Sequence, residues 1–466
     1  MQLVLYIFTV LFSSSLVFSQ DVNERLAVLE ERLDDFELDQ ALKKFTLSGS
    51  FFNQYESYHS VKTRTDLLNN VPTSIKNQIQ GDDRDIYLSL FFMRAELNFD
   101  AKVSSTVNFY STLGMTKFWN VAGRDGRNEA YENSYKSLVG GYGFRDSAAR
   151  FDVAYVNYRP ANSSWSFSVG RMTTNNGPPQ NQLDGLGRTG TYPFLSYNVI
   201  LDGAAVVYNI DNLPKDHKLN FRVFYTPFQN VSNNDFNSNR VDTNVSSNNE
   251  LNSNESVDSK GNSITLLTEY SLKNLSFAKK LDVFHSLYTF DRYYNSQFQG
   301  FDSSVAGCGN PGFEDFCNEG VEYGRANAST LYVGLERILN TGLSLSLTYN
   351  VSEYTLSDRE LEYGENYLLT GNYKFDNKFN GGDLAGFEYI KTDESKIPVD
   401  VNSLYLSDFY SITDGEGVHL YYTKQIGSNQ VLRFGYFKFR EGDSLVVYDD
   451  TTGDVSSTYL RWKVFF

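Results

Sequence analysis

The sequence predicts an all-β protein, a transmembrane antiparallel β-barrel of about sixteen strands preceded by a short N-terminal coiled-coil helix. Three observations support this: abundant aromatic residues, short segments in which apolar and polar residues alternate, and connections that alternate between short and long. Of the 466 residues 15% are aromatic, with 33 Tyr and 36 Phe against 9 Pro. This excess is typical of strands and of the aromatic girdles of membrane barrels.

Charge and hydropathy exclude two other classes of protein. The net charge is −16 and the mean hydropathy is −0.41, which disfavours both a helical membrane protein and a nucleic-acid binder. A membrane barrel is compatible with this polarity, because only alternate residues of its strands face lipid.

Residues 1–19 are predicted to be a signal peptide. The apolar run from Leu3 to Phe18 is short for a membrane-spanning helix, and Val17 and Ser19 occupy the −3 and −1 positions of a cleavage site before Gln20. No Lys or Arg precedes the run. A membrane anchor is therefore the alternative.

Residues 20–44 are predicted to form a periplasmic coiled-coil helix. Its heptad spacing of apolar residues runs through Val22, Leu26, Leu29, Leu33 and Phe36. A lone helix cannot bury so narrow an apolar stripe. The spacing therefore favours self-association, as a homotrimer, over the alternative that the helix packs on the mouth of the barrel.

Residues 45–466 are predicted to form the barrel. In the clearest strand, residues 343–352, Leu, Tyr and Val occupy one face and Ser, Thr and Asn the other. Lipid outside and water inside would explain this pattern, although a soluble sandwich shows the same alternation. The candidate strands begin near Phe45, Asp85, Val103, Arg150, Trp165, Ile200, Lys218, Ser263, Lys280, Ser329, Gly342, Glu365, Leu384, Gly417, Gln430 and Ser457.

Connection lengths separate the barrel from the sandwich. Short connections such as 100–102 and 427–429 alternate with long polar ones such as 120–149 and 229–262. Short periplasmic turns and long outer loops are the signature of outer-membrane barrels. An even number of strands also returns the C-terminus to the side of the N-terminal helix.

The C-terminal strand has two distinct faces. Arg461 and Lys463 lie on one face, and the other carries Leu460, Trp462, Val464 and Phe466. This ending resembles the C-terminal signature of bacterial outer-membrane barrels, which implies recognition of the second face by the barrel-assembly machinery. It would also make this the closing strand, paired with the strand near Phe45.

The stretch from Trp165 to Tyr208 contains the most informative internal motif. Its pattern G-R-x-x-T, G-P-P, R-x-G-T-Y-P and D-G, from Gly170 to Gly203, resembles an uncharacterised family of bacterial outer-membrane porin-like proteins with an N-terminal coiled coil. The general layout is also similar to that of trimeric sixteen-stranded porins.

That likeness implies that the third long loop, residues 175–199, folds into the lumen and narrows it. Asp184 and Arg188 are its only charged residues and would lie at the narrowest point. The alternative is a loop packed over the rim. Apolar members that would anchor the loop on the inner wall are Leu183, Leu186, Tyr192, Pro193, Phe194 and Leu195.

Alternation also predicts which charged strand residues face the lumen. Basic residues are common among them, which favours anionic or mixed polar solutes over the alternative of a non-selective pore. Arg433 and Lys438 cannot both face inward without a bulge. The predicted pore-lining residues are Arg94, Glu96, Asp184, Arg188, Lys218, Arg222, His419, Arg461 and Lys463.

The two cysteines, Cys308 and Cys317, are predicted to form a disulfide within an exported loop, since no His lies near enough to complete a metal site. The sequence contains no recognisable catalytic motif, and no cofactor or metal is predicted. An enzyme with His285 or His419 as its base is the third-ranked hypothesis.

Together these features predict a porin in the outer membrane of a Gram-negative bacterium. It would act by passive diffusion, with the lipid bilayer, lipopolysaccharide and other copies of the chain as partners, and without nucleic acid. The alternative is a structural or adhesive barrel that is occluded inside and links the cell surface to the periplasm.

Overall fold

A computed structural model describes most of the predicted barrel. The predicted signal peptide and coiled coil, residues 1–44, lie outside the described residues. The described ranges are 45–64, 84–118, 149–173, 177–185, 188, 190–196, 200–228, 261–294, 323–356, 359–360, 364–375, 382–393, 415–441 and 451–466.

Seventeen strands belong to one sheet. The strands are β1 (Phe45–Arg64), β2 (Arg84–Lys102), β3 (Val107–Phe118), β4 (Arg150–Tyr158), β5 (Trp165–Thr173), β6 (Ile200–Asn209), β7 (His217–Phe228), β8 (Gly261–Lys273), β9 (Ala278–Tyr294), β10 (Tyr323–Ile338), β11 (Leu343–Leu356), β12 (Arg359–Glu360), β13 (Gly364–Lys374), β14 (Leu384–Thr392), β15 (Gly415–Ile426), β16 (Gln430–Glu441) and β17 (Thr451–Phe465). Most barrel strands begin within a few residues of a start predicted from alternation, whereas β10 and β17 each begin six residues earlier than predicted.

The sheet closes into a barrel. Consecutive strands pair in antiparallel fashion around the ring, and β17 pairs with β1 through contacts such as Tyr55 opposite Leu460. β11 pairs directly with β13, whereas the two-residue β12 pairs with the end of β11 and stands outside the ring. The ring therefore has sixteen strands, which confirms the predicted fold class and the predicted closing strand.

Connections at the two ends of the barrel differ in length. The end where β1 begins and β17 ends carries short turns, such as 339–342 between β10 and β11 and 427–429 between β15 and β16. The opposite end carries connections such as 119–149 and 229–260. We call these the short-turn end and the long-loop end.

The two faces of the wall differ as alternation predicts. On β11 Leu347 is 44% exposed, whereas the neighbouring Thr348 is 0% exposed. Outward positions elsewhere are also large and apolar, and the tilted rings of Trp165 and Tyr208 pack with their centroids 4.6 Å apart at the short-turn end. An apolar outer belt with aromatic residues near its edge fits a lipid-facing wall. Among the described residues, no helix has the length and apolar character needed to cross a membrane.

Candidate functional site inside the barrel

The connection between β5 and β6 reaches the far side of the ring. The Ser196 and Ser286 hydroxyl oxygens are 2.7 Å apart, and Asn372 Nδ2 donates to Gln182 Oε1 at 2.8 Å. Thr423 Oγ1 donates to the Leu183 carbonyl oxygen at 2.9 Å. These partners lie on β9, β13 and β15, so the segment crosses the barrel interior. We call its described residues, 177–185, 188 and 190–196, the inner segment.

Residues of the Gly170–Gly203 motif build the neck of this segment. Arg171 Nε and Nη2 donate to the two Asp202 carboxylate oxygens at 2.9 and 2.8 Å, which clamps β5 to β6 on the outer face. Within the segment Phe194 N donates to Pro178 O at 2.9 Å. Gly177 packs directly against the Tyr192 backbone, where a Cβ would collide. The motif therefore fixes where the chain enters and leaves the barrel interior.

An apolar patch anchors the segment on the inner wall. Phe194 and Leu195 are buried in one cluster with wall residues of β13, β14, β16 and β17, while Leu183 packs on Leu384 and Tyr421. Tyr192 and Pro193 are buried too, whereas Leu186 lies outside the described residues. The described residues of the predicted anchor therefore contact the inner wall. The wall residues of the larger cluster are Leu368, Ile390, Phe437, Phe439, Val455 and Tyr459.

A histidine lies beneath this patch. His419 Nδ1 is 2.6 Å from Glu388 Oε2, and His419 Nε2 is 3.0 Å from the Tyr459 hydroxyl. Its ring stacks on Phe437 at 4.1 Å between centroids. His419 thus faces inward, but it is fully buried between the wall and the anchor.

Asp184 attaches the tip of the segment electrostatically. Its carboxylate pairs with Arg433 on β16 and accepts a hydrogen bond from Lys463 Nζ of β17 at 3.2 Å. Burial opposes its ionisation, but the positive charges of Arg433, Lys463 and Arg461 outweigh burial and hold the Asp184 pKa well below its usual value. Because this pKa is depressed on folding, the stabilisation is complete above the unfolded-state pKa of about 3.9. It is lost only as the pH falls through the lower folded value, so the attachment is intact at neutral pH.

Basic side chains of β7, β9 and the inner segment extend into the lumen. Arg188 and Arg222 both pair with Glu269, at 3.1 and 3.7 Å, and Lys280 pairs with Asp282 at 2.6 Å. The bases are 28–30% exposed, whereas the two acids are 7% and 11% exposed. Lys280 also pairs with Glu336 of β10 at 3.6 Å, and that acid is 45% exposed. Water and solutes on this side therefore meet three partly exposed bases and one exposed acid.

The opposite part of the wall presents an acid. Arg94 binds Glu96 at 2.7 Å and Asp152 at 2.5 Å, and of these three side chains Glu96 is the most exposed. Asp152 is the extra residue of a β-bulge in β4, which turns its carboxylate inward. Gly114 leaves room for this pair, because a Cβ there would overlap the Asp152 carboxylate.

Residues 87–299 match the family described as "Protein of unknown function (DUF3373)". The matched range includes the whole Gly170–Gly203 motif and therefore the neck and inner segment. None of the curated proteins matches the sequence.

Solved structures with a similar fold are outer-membrane proteins. The high-pH structure of OprB from Pseudomonas putida shares 11% identity, with a TM-score of 0.52 and coverage of 93% of this chain and 97% of that chain. An anion-selective porin from Comamonas acidovorans shares 10% identity, with a TM-score of 0.45 and coverage of 91% and 99%. The likeness to OprB shows a shared porin-like barrel fold.

All nine residues predicted to line the pore lie on the inner wall or the inner segment. They differ in exposure. Arg94, His419 and Arg461 are buried. Water reaches the other six to different degrees: Glu96, Asp184, Arg188, Lys218, Arg222 and Lys463.

The other predicted site residues fall in two places. The second face of the C-terminal strand points outward, with Leu460, Trp462 and Phe466 exposed and Val464 on the same face. Cys308 and Cys317 lie outside the described residues, and their disulfide stays a prediction. In the part of the chain that the structure describes, no cluster of His, Cys, Asp and Glu could hold a metal.

The sequence analysis did not identify several residues that form ion pairs with the predicted pore-lining residues. Glu269 and Asp152 were not singled out, although β8 alternates cleanly enough to place Glu269 inward. Arg433 was recognised only as incompatible with Lys438, and the structure resolves this without a bulge: Arg433 faces inward and Lys438 outward. Because Phe437 and Phe439 also face inward beneath the inner segment, both faces of β16 are partly apolar.

Proposed function

We propose that the chain is an outer-membrane porin that passes small polar solutes, with a preference for anions, between the inner segment and the strands it leaves uncovered. The observation that carries the proposal is the exposure of paired charges inside a closed barrel. Rings of charge on a pore wall select solutes by sign. In the pairs that Arg188, Arg222 and Lys280 make with Glu269 and Asp282, the more exposed member is the base.

Conductance in planar bilayers tests this proposal. The purified protein is expected to give stepwise currents and, across a KCl gradient, a reversal potential on the anion-selective side. Arg222→Gln removes an exposed inner charge and is expected to shift the reversal potential towards cations. Arg440→Gln, at an exposed position on the outer face of β16, is the matched control and is expected to leave it unchanged. An unchanged potential in Arg222→Gln would remove the anion preference from the proposal.

One observation favours a second candidate, the structural or adhesive barrel. Deep inner-wall residues such as Gln54, Glu56 and Arg433 are 0–1% exposed, as an occluded interior requires. A folded, heat-modifiable barrel that stays silent in bilayers would favour this candidate over the porin.

Partners and location form a separate part of the proposal. We place the protein in the outer membrane of a Gram-negative bacterium, as a homotrimer inserted by the barrel-assembly machinery and surrounded by lipopolysaccharide. Its support is the apolar outer belt and the porin-like fold. Fractionation of inner and outer membranes tests the location directly, and recovery in the inner membrane would contradict it.

A further inference from the structure

A pair of tyrosines stands on the inner wall of β3 and β4. Tyr110 and Tyr155 are register partners, and their rings stack with centroids 5.1 Å apart and planes inclined by 28°. Both side chains are half-buried. Because the centroid separation is close to the spacing of neighbouring strands, about 4.8 Å, the rings face each other along the sheet. The second face of Tyr155 is therefore turned towards β5 and β6.

The wall beside Tyr155 lacks side chains on two successive strands. The same row of the sheet continues from Tyr155 to Gly170 on β5 and to Gly203 on β6, the glycines that begin and end the sequence motif. At Gly435, another inward glycine, the ring of Tyr459 fills the space that a Cβ would occupy. At Gly170 and Gly203 the three atoms that an added Cβ would meet first include no ring atom. The face of Tyr155 therefore borders a space about two strands wide, roughly 10 Å.

A hydroxyl group lies at the far side of this space. Thr226 on β7 lies beside Gly203, and its Oγ1 is 3.1 Å from the position that a Cβ of Gly203 would occupy. Thr226 is 2% exposed, and its Oγ1 has no hydrogen-bond partner in the described part of the chain. A buried hydroxyl without a partner costs free energy, so a ligand hydroxyl here would be stabilising. We call the space between Tyr155 and Thr226, above Gly170 and Gly203, the slot.

Amide and hydroxyl groups line the wall next to the slot. Asn157, the next inward residue of β4, donates from Nδ2 to Ser168 Oγ of β5 at 2.8 Å, and Asn108 of β3 is opposite Asn157. A sugar ring fits such a lining, because its C–H face packs on an aromatic ring while its hydroxyls bond to amides and hydroxyls. An aromatic surface with a few polar groups that fix orientation is typical of small-molecule sites.

We propose that the slot binds a pyranose sugar ring, stacked on Tyr155, as the sugar passes through the lumen. The described contacts of the inner segment are with β8 to β10 and β13 to β17, so the slot lies on a different part of the wall. Binding has to be weak, because a solute must leave a pore as well as enter it. This inference rests on the proposed porin function, since it names a solute class for that same passage.

Swelling of proteoliposomes tests the slot with two probes of similar size, glucose and mannitol. Glucose forms a pyranose ring, whereas mannitol is an open-chain alcohol with the same number of carbon atoms. The wild-type protein is expected to admit glucose faster than mannitol. Tyr155→Leu removes the stacking face and is expected to lower the glucose-to-mannitol ratio of swelling rates about twofold to tenfold. A change in pore width alone would move both rates together.

The matched control is Tyr225→Leu, at an exposed position on the outer face of β7. It is expected to keep the wild-type ratio. A ratio in Tyr155→Leu that equals the wild-type ratio overturns the slot.

A second variant covers the case in which Tyr155→Leu fails to fold. Thr226→Val keeps the side-chain shape and removes a hydroxyl that has no partner among the described residues. It is therefore expected to leave the barrel folded and to lower the same ratio. An unchanged ratio in Thr226→Val also overturns the slot.

The outcomes separate the slot from the porin function. If wild-type vesicles swell equally in both probes, or in neither although bilayers conduct, the slot is wrong and the porin stands. If the vesicles do not swell and bilayers stay silent, the porin proposal fails, and the slot fails with it. A preference for glucose that both variants reduce supports both proposals.

Discussion

Asp184 joins the inner segment to two strands that are distant from it in sequence. Its partner Arg433 is only 1% exposed, so loss of the carboxylate leaves a buried guanidinium without its main counter-charge. Removing one member of a buried ion pair costs about 3–5 kcal/mol. Lys463 is more exposed to water, so the loss of its contact with Asp184 costs less free energy.

We therefore predict that Asp184→Asn loosens the segment. The variant is expected to show larger and noisier single-channel conductance and a stronger anion preference, because a negative charge leaves the lumen. Asp454→Asn, the same change at an exposed outward position, is the control and should behave like the wild type. Conductance and selectivity that match the wild type in Asp184→Asn would show that this contact does not hold the segment.

The sequence was sufficient to predict which face of the wall a side chain occupies, but not which residue it pairs with. Strand parity correctly placed Arg94, Arg222 and Arg461 on the inner face, because side chains alternate with a fixed period. It did not predict that Arg94 binds Asp152, since that carboxylate points inward only through a bulge. Nor did alternation predict that His419 is buried, because it is covered by the inner segment, which lies more than two hundred residues earlier in the chain.

At the scale of single elements, the outer wall is defined by a run of apolar residues on each strand. Leu347 lies in the middle of β11, while Glu353 on the same face approaches the long-loop end. An arginine facing the lipid midplane destabilises a membrane barrel by about 2–4 kcal/mol, but by about 0–1 kcal/mol near the interface.

We predict that Leu347→Arg lowers the free energy of unfolding in lipid vesicles by about 2–4 kcal/mol. Glu353→Arg, the same new side chain near the rim, is the matched control and should change it by less than about 1 kcal/mol. Urea titration followed by heat-modifiable migration measures both values. Equal losses in the two variants would contradict a lipid-facing β11.

Strand starts were predicted well where apolar alternation begins at the short-turn end. β1, β5, β14 and β16 begin at this end, each at the predicted residue. Errors concentrate at the long-loop end, where β10 begins at Tyr323 rather than near Ser329. There the strand continues through small and polar residues, and backbone pairing with β9 sustains it without an apolar signal. The two-residue β12 gives no periodic signal at all.

At the scale of the whole molecule, the rhythm of short and long connections specified the architecture. An even number of strands, with the start of β1 and the end of β17 at one end, allows these two strands to pair and leaves no free edge in the described ring. The solute preference cannot be predicted as well from sequence, because it depends on which member of each ion pair is exposed to water. The contrast between the partly exposed bases Arg188 and Lys280 and the buried acids Glu269 and Asp282 became apparent only in three dimensions.

Two features of the chain can hold several copies together. One is the predicted coiled coil of residues 20–44, which lies outside the described residues. The other is a polar group on the outer face of β8 to β10, where His285 Nε2 lies 3.0 Å from the Ser329 hydroxyl and Thr268 is opposite His285. Polar side chains at a lipid-facing position favour contact with another protein surface.

We predict that the coiled coil is the dominant contact, because a lone helix cannot bury the narrow apolar seam that its heptad spacing predicts. The full-length protein is expected to sediment in detergent as a trimer, and deletion of residues 22–43 is expected to give folded monomers. Heat-modifiable migration would verify that the shortened barrel is intact. If trimers remain after the deletion, the walls alone hold the copies together. His285→Leu in the shortened protein should then dissociate them, since it removes the polar group whose burial between copies would be the reason for contact.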